Sequence, residues 1–546
     1  MAIIALTGDD ISEASIPLLD DVVPCSVDFK SRPSVRSKSG SWKSAIFIIG
    51  VQTAERFSYY GISSNLVSYF TGALGQSTAA AAANLNAWYG TAALSPILGA
   101  FIADSFLGRY RTIIVSSLFY IMGLGFLTLS AAINSSNSSD CENVANDTEC
   151  SPPQLLKIFF FFSLYLVAFA QGGFKPCVQA FGADQFDNED EKESKAKSSF
   201  FNWWLLFSCL GIILAILVLS YIQENLSWEL GFGIPCIVMC FTLIVFLLGS
   251  MTYRFPINSD QSNPFVRIGR VFLKAARNCV PAFTTISHEQ DYEGKDVEDA
   301  KAILRLVPIM CASLGHSIVY AQPSTLFTKQ AATMNCHVTS TFQIPAASFQ
   351  SIISISIVVF IPFYDRVFVP IARAITKSPS GISMLQRVGT GLFLSIISIV
   401  VAAFVEKKRL AVALEYGLVD MPKATIPMSV LWLTPQFLLC GIANVFALVG
   451  LQEFFYDQVP SDLKSMGLAL YLSILGIGSF LSSFLVSAIE KVTRGTGRDG
   501  WFSDNLNRAH LDYFYWLLAG ISAFALAAYI YFAKAYVYSR KIIVGN

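Results

Sequence analysis

An all-α membrane protein is the fold class this 546-residue chain predicts, and three observations predict it. Hydrophobic residues make up 54% of the chain and charged residues only 14%, too few polar groups to cover a soluble core of that size. Twelve apolar runs are separated by polar segments, each run long enough for a helix to cross a bilayer, which takes about 20 residues. Charged residues at the run ends recur six runs apart, as in two related six-helix bundles.

The elements follow in order. Residues 1–43 are polar, carry Lys30, Arg32, Arg36, Lys38 and Lys43 near their end, and read as a cytosolic flexible tail. Met1–Leu6 is too short for a signal peptide and runs into Asp9 and Asp10, so the first span is the expected route into the membrane. Runs one to six lie at about 44–70, 82–104, 111–133, 155–180, 200–222 and 230–250, an N-terminal six-helix bundle over 44–250. The polar segment 251–301 carries Arg267, Arg270, Lys274 and Arg277 and reads as a cytosolic linker with a helix along the membrane surface. Runs seven to twelve lie at about 302–327, 345–370, 383–405, 427–452, 466–489 and 511–536, a C-terminal bundle and short tail over 302–546.

Charge sets the orientation. Most of the 38 Lys and Arg fall on the side of the N-terminus, which puts both termini in the cytosol. Lys407-Lys408-Arg409, read as a loop after run nine, goes against that bias. Asn134, Asn137, Asn146 and Asn225 head sequons on the outer side and are glycosylation candidates. Cys141 and Cys150 share an outer polar loop, where a disulfide fits an oxidising compartment. The other cysteines show no metal-site spacing, so neither a metal nor another cofactor is expected. Zero net charge gives no basis for a nucleic-acid partner. No His-Glu-x-x-His and no nucleophile motif in a credible setting points to an enzyme.

Charges inside the runs carry the functional signal. A charge at the bilayer centre costs about 2.5–3.5 kcal/mol or more, so it usually faces a wet cavity. Gln52, Glu55 and Arg56 in run one fall at i, i+3 and i+4 and share a helix face. Lys175 lies in run four. Asp104 and Arg109 after run two have counterparts in Asp365 and Arg366 after run eight. Asp184 after run four has one in Asp457 after run ten. These six read as inner-side tethers of the two halves. His316, inside run seven, reads as a hydrogen-bonded core histidine.

Several long motifs resemble one family. Gly99-Ala-Phe-Ile-Ala-Asp104-Ser-Phe-Leu-Gly108-Arg109 resembles the signature of proton-dependent oligopeptide transporters. Gly172-Gly-Phe-Lys175-Pro-Cys, Phe181-Gly-Ala-Asp-Gln-Phe-Asp187, Asp457-Gln-Val-Pro460 and Lys464-Ser-Met-Gly467 resemble the plant nitrate/peptide transporter family. The resemblance implies a major facilitator fold of twelve transmembrane helices in two six-helix bundles, rocking about a central cavity. It also implies that the family's first-span Glu-x-x-Glu-Arg motif, tied to proton coupling, survives here as Gln52, Glu55 and Arg56. An amide at Gln52 cannot carry the proton. Lys175 matches the fourth-span lysine, and His337 a position used as an anion ligand in a nitrate-transporting branch. Asn444 stands where many relatives carry an acidic residue.

The expected function is therefore secondary transport of a small anion such as nitrate, or of an organic acid, with altered proton linkage. An uncoupled facilitator, a di- or tripeptide–proton symporter and a transporter-like receptor or sensor are the alternatives. Expected partners are the anionic solute, protons and the lipid bilayer, with a single chain as the transport unit. Glu13 upstream of Leu18 and Leu19 resembles an acidic dileucine sorting signal, read by an adaptor, for the plant vacuolar membrane; the plasma membrane is the alternative location.

Overall fold

The computed structural model describes residues 22–142, 153–187, 190–256, 291–337, 343–368, 370–371, 374, 382–459, 464–494 and 500–536. Long helices account for most of them. In the first half these are α1 Ser41–Ser63, α2 Thr78–Ile102, α3 Arg109–Glu142, α4 Gln154–Ala183, α5 Glu191–Leu214 and α6 Trp228–Leu248. In the second they are α7 Asp291–Tyr320, α8 Ser351–Phe363, α9 Met384–Glu415, α10 Thr434–Asp457, α11 Lys464–Thr493 and α12 Leu511–Ala535. Ten helical stretches among the described residues are long and apolar enough to cross a bilayer. Helices α1 and α2 are as long, at 1.5 Å per residue about 35 Å, but more polar. Their Gln52, Glu55, Arg56 and Asn86 are buried against other helices.

One apolar core draws on α1 to α6, and two more draw on the second half, one of them also taking in Ala79 and Ala82 of α2. Small residues set the first of these. A side chain at Gly99 would sit 2.2 Å from the Gly172 carbonyl oxygen, and one at Gly172 would strike Ser95. Glycine there lets α2 and α4 touch backbone to backbone, and Ser95 Oγ donates to the Ala168 carbonyl at 2.9 Å. That contact sets the face of α4 on which Lys175 stands.

The halves meet where α2 packs on α11. Asn86 Nδ2 donates to Ser482 Oγ at 3.0 Å, and Ser483 Oγ to the Ala83 carbonyl at 2.8 Å. Toward the face opposite the N-terminus, Lys329 Nζ donates to Thr71 Oγ1 at 2.6 Å and Gln350 Nε2 to the Ser64 carbonyl at 2.7 Å. Asp504 accepts the Thr78 backbone N–H at 2.8 Å, satisfying one of the free donors at the start of α2. These bonds hold the halves together on that face.

Several expectations change. Residues 22–43 are not a flexible tail. Strand β1 Val22–Val27 pairs with β2 Pro33–Val35 on one side and with β3 Phe255–Pro256 on the other, in one small antiparallel sheet. Buried Arg254 fastens it, with bonds to both Glu193 oxygens at 2.7 and 3.0 Å and to the Ser39 carbonyl at 2.7 Å. Helix α7 starts at Asp291, inside the segment read as linker; the surface helix expected there lies outside the described residues. Arg409 is not a loop charge. Helix α9 runs on to Glu415, and Arg409 is fully buried with Glu406 at 2.6 Å. Asn134 is a poor glycan acceptor, because it is buried within α3 and donates to the Ala73 carbonyl. Asn225 is exposed at a helix end. The Asn137 side chain, Asn146, the proposed Cys141–Cys150 pair and Glu13, Leu18 and Leu19 lie outside the described residues.

The repeat shows in the backbone. Asp104 and Asp365 each lie in a five-residue π-helical turn, Ala103–Leu107 after α2 and Tyr364–Phe368 after α8. Arg109 pairs with Asp184, while Arg366 is exposed. The side chains of Asp104, Asp365 and Asp457 lie outside the described residues. In the second half Arg387 lies over the Tyr364 ring at 4.6 Å and within 3.4 Å of Glu453.

Candidate solute cavity

A cavity of about 210 Å³ lies between the halves. It is smaller than the ~300–1,000 Å³ of drug-sized pockets, so in this conformation it suits a small solute. Helix α1 contributes Arg56 and Tyr60, α4 Gln171 and Lys175, α7 His316 and Tyr320, and α10 Asn444. Among the described lining residues are two basic side chains, Arg56 and Lys175, and no carboxylate. Arg56, Lys175 and Asn444 thus line the same cavity.

Glu55 and Gln52 do not. Glu55 is fully buried behind Arg56, 2.9 Å from its Nε, and accepts from Gln171 Nε2 at 3.2 Å. Gln52 is buried with its Oε1 lacking a hydrogen-bond partner. Neither lines the cavity. Residues at i, i+3 and i+4 share a side of the helix, but only the one at the rim of that arc reaches the open space.

The Glu55–Arg56 contact is close yet badly aligned. Adjacent helical residues point about 100° apart, and neither Glu55 Oε2 nor Arg56 Nε and Nη2 completes a hydrogen bond. Arg56 keeps donors for something else. Lys175 has no hydrogen bond or contact ion pair among the described residues. Two cations with unspent donors set a positive field in a low-dielectric space.

His337 does not join the site. It is exposed, its Nδ1 is 3.2 Å from Asn335 Oδ1, and it bridges to Gln343. Its place was read from a loop, whose path only tertiary packing decides. His316 does line the cavity, with Nδ1 at 2.5 Å from Ser395 Oγ. Nothing in the sequence around His316 signals this, because Ser395 is 79 residues away. The tyrosines were missed too. Tyr60 and Tyr320 line the cavity from opposite halves, and Tyr89 donates to the Ser63 carbonyl at 3.2 Å. Tyr60 lies four residues after Arg56, a spacing that could have flagged it. No His, Cys, Asp and Glu cluster suited to a metal occurs among the described residues.

A cavity between two helical halves, latched on one face and lined by charge, fits a membrane transporter. The POT family model matches residues 110–502, and the chain belongs to that family of transporters, which are not enzymes. It is 56% identical to Protein NRT1/ PTR FAMILY 5.10 of Arabidopsis thaliana, over 97% of this chain and 98% of that one. It is 54% identical to Protein NRT1/ PTR FAMILY 5.12 of the same plant, over 97% and 99%. An auto-inhibited POT family peptide transporter has a similar structure, with a TM-score of 0.70 at 22% identity, over 92% of this chain and 99% of that one. A POT family transporter in complex with 5-aminolevulinic acid gives 0.64 at 16%, over 90% and 96%. At such identities the likeness carries the fold alone, and the family match together with the ten long apolar helical stretches makes the chain a mostly helical, multi-pass membrane protein.

Proposed function

We propose that the chain carries a small anion, nitrate or an organic acid, across a membrane by alternating access, together with a proton. One observation carries the reading: the cavity offers Arg56 and Lys175 and no lining carboxylate among the described residues. An ammonium group, as on a dipeptide, finds no counter-charge there, whereas an anion meets two cations. All twelve helices cross, in this reading, with both termini in the cytosol and the latched face turned away from it.

Coupling departs from the family pattern, since Gln52 cannot titrate and Glu55 is sealed behind Arg56. A single chain is the transport unit, and the dileucine at Leu18 and Leu19 sends it to the vacuolar membrane. Uptake of labelled nitrate, a panel of organic acids and a dipeptide into liposomes holding the purified protein, at two pH values, tests the substrate class. Anion uptake without dipeptide uptake is expected; the reverse preference rejects the proposal.

A further inference from the structure

With Gln52 neutral and Glu55 enclosed, a proton that travels with the solute needs another carrier, and one buried side chain in the cavity is equipped for it. His316 is 3% exposed, lines the cavity, and leaves Nε2 without a hydrogen-bond partner. Its other nitrogen is committed. Ser395 Oγ donates its one proton to the Gly391 carbonyl, 3.1 Å away one turn back. It therefore meets His316 Nδ1, at 2.5 Å, as an acceptor. That arrangement places the ring proton on Nδ1 and leaves the lone pair on Nε2.

We infer that His316 Nε2 takes up the co-transported proton. The step balances simply. Water on the entry side gives a proton to the Nε2 lone pair, the ring becomes an imidazolium, and the proton returns to water on the exit side when the solute leaves. A monovalent anion then moves with one proton and no net charge. Binding is mutual: an anion held by Arg56 and Lys175 favours the proton on Nε2, and the protonated ring adds a donor for the anion. Linkage makes the two enhancements equal.

The groups facing the ring are few. Across the cavity stand Arg56 and Tyr60 of α1 and Lys175 of α4. Tyr320 of the same helix lies with its ring centre 6.4 Å away. From the helices packed on α7, α9 presents Ser395, α10 Cys440 and Asn444, and α11 Ser479; α12 places Ser522 on the Gly315 carbonyl. None of these is a carboxylate that would hold the proton permanently.

The inference rests on the anion-carrier reading, and the test separates the two. In liposomes holding the full chain, nitrate exchange at equal pH needs no net proton movement, whereas accumulation under an acid-outside gradient does. His316→Gln, which also takes a donor from the anion, should exchange nitrate at equal pH more slowly but still measurably, and lose accumulation, falling to the equilibrium level. Accumulation retained by His316→Gln overturns the inference and leaves the anion carrier standing. Exchange without accumulation in the unaltered protein overturns both the proton link and this role for His316. Exchange untouched by Lys175→Ala counts against the anion reading alone. Should His316→Gln fail to insert, Ser395→Ala keeps the ring but removes its Nδ1 acceptor. Worth roughly one hydrogen bond, this should move the pH midpoint of accumulation by about half a unit; an unmoved midpoint overturns the inference.

Discussion

Among the described residues, two buried Glu–Arg pairs each lie within a single helix, and they are built differently. Glu406 and Arg409 are three residues apart on α9, so their side chains face the same way. All three Arg409 nitrogens are spent. Nε and Nη2 bond Glu406 at 2.8 and 2.6 Å, Nη1 bonds Asn507 at 3.0 Å and Thr333 at 3.2 Å, and Nη2 also bonds the Leu506 carbonyl at 2.6 Å. Glu55 and Arg56 are neighbours on α1, diverge, and leave donors unspent beside the cavity. The same two residue types give a structural clamp at one spacing and an anion-ready cation at the other.

The sharpest way to break this contrast is to neutralise each carboxylate in turn. Glu406→Gln strands a buried guanidinium and should cost about 3–5 kcal/mol of stability, read as a lower unfolding temperature in detergent. Glu55→Gln should cost far less, because its pair is already poorly made, and should show in transport rates. Equal thermal shifts for the two variants would erase the distinction.

Next in size, Lys175→Ala should lower anion uptake by roughly 10- to 100-fold, since hydrogen bonds to charged groups are worth about 1.5–3 kcal/mol. Undiminished uptake by correctly inserted protein would mean Lys175 holds no solute. Asn444→Asp sharpens the contrast from the other side by giving Arg56 and Lys175 a carboxylate to face. A rise of about tenfold in the anion's KM, or ~1.4 kcal/mol, is expected, and an unchanged KM would show that Asn444 lies outside their reach.

The smallest effect concerns the latched face. Burial pushes the Cys336 thiol up to about 11, with Glu224 adding to it, so at neutral pH it stays protonated and reacts slowly with maleimide. Asp504→Ala removes the side-chain acceptor at the start of α2, a loss of about 1 kcal/mol. In a background without other cysteines, labelling of Cys336 should then speed up about fivefold. Identical rates would mean that the Asp504 bond does not keep that face shut.

Much of the fold was legible because lipid imposes long apolar helices, and hydropathy reads those directly. Arg56 and Lys175 were legible as charges where lipid would reject them, and Asn444 only through the family resemblance. What escaped depends on partners far along the chain. His316 acquires its role from Ser395, and β1 finds one of its two partner strands more than 200 residues later, with no alternation strong enough to announce it. Arg409 looked like part of a loop because three cations in a row resemble a membrane edge, yet Glu406 one turn earlier neutralises it in place. His337 shows the opposite failure: a matched position in a loop does not bring its side chain to the solute.

The strand pairing near the N-terminus has a practical side. A shortened version starting after residue 40 would strip β1 and β2 from β3 and take the Ser39 carbonyl from Arg254, loosening the base of the first half. Versions trimmed for purification or imaging should retain everything from Val22 onward, with any reporter fused upstream of it.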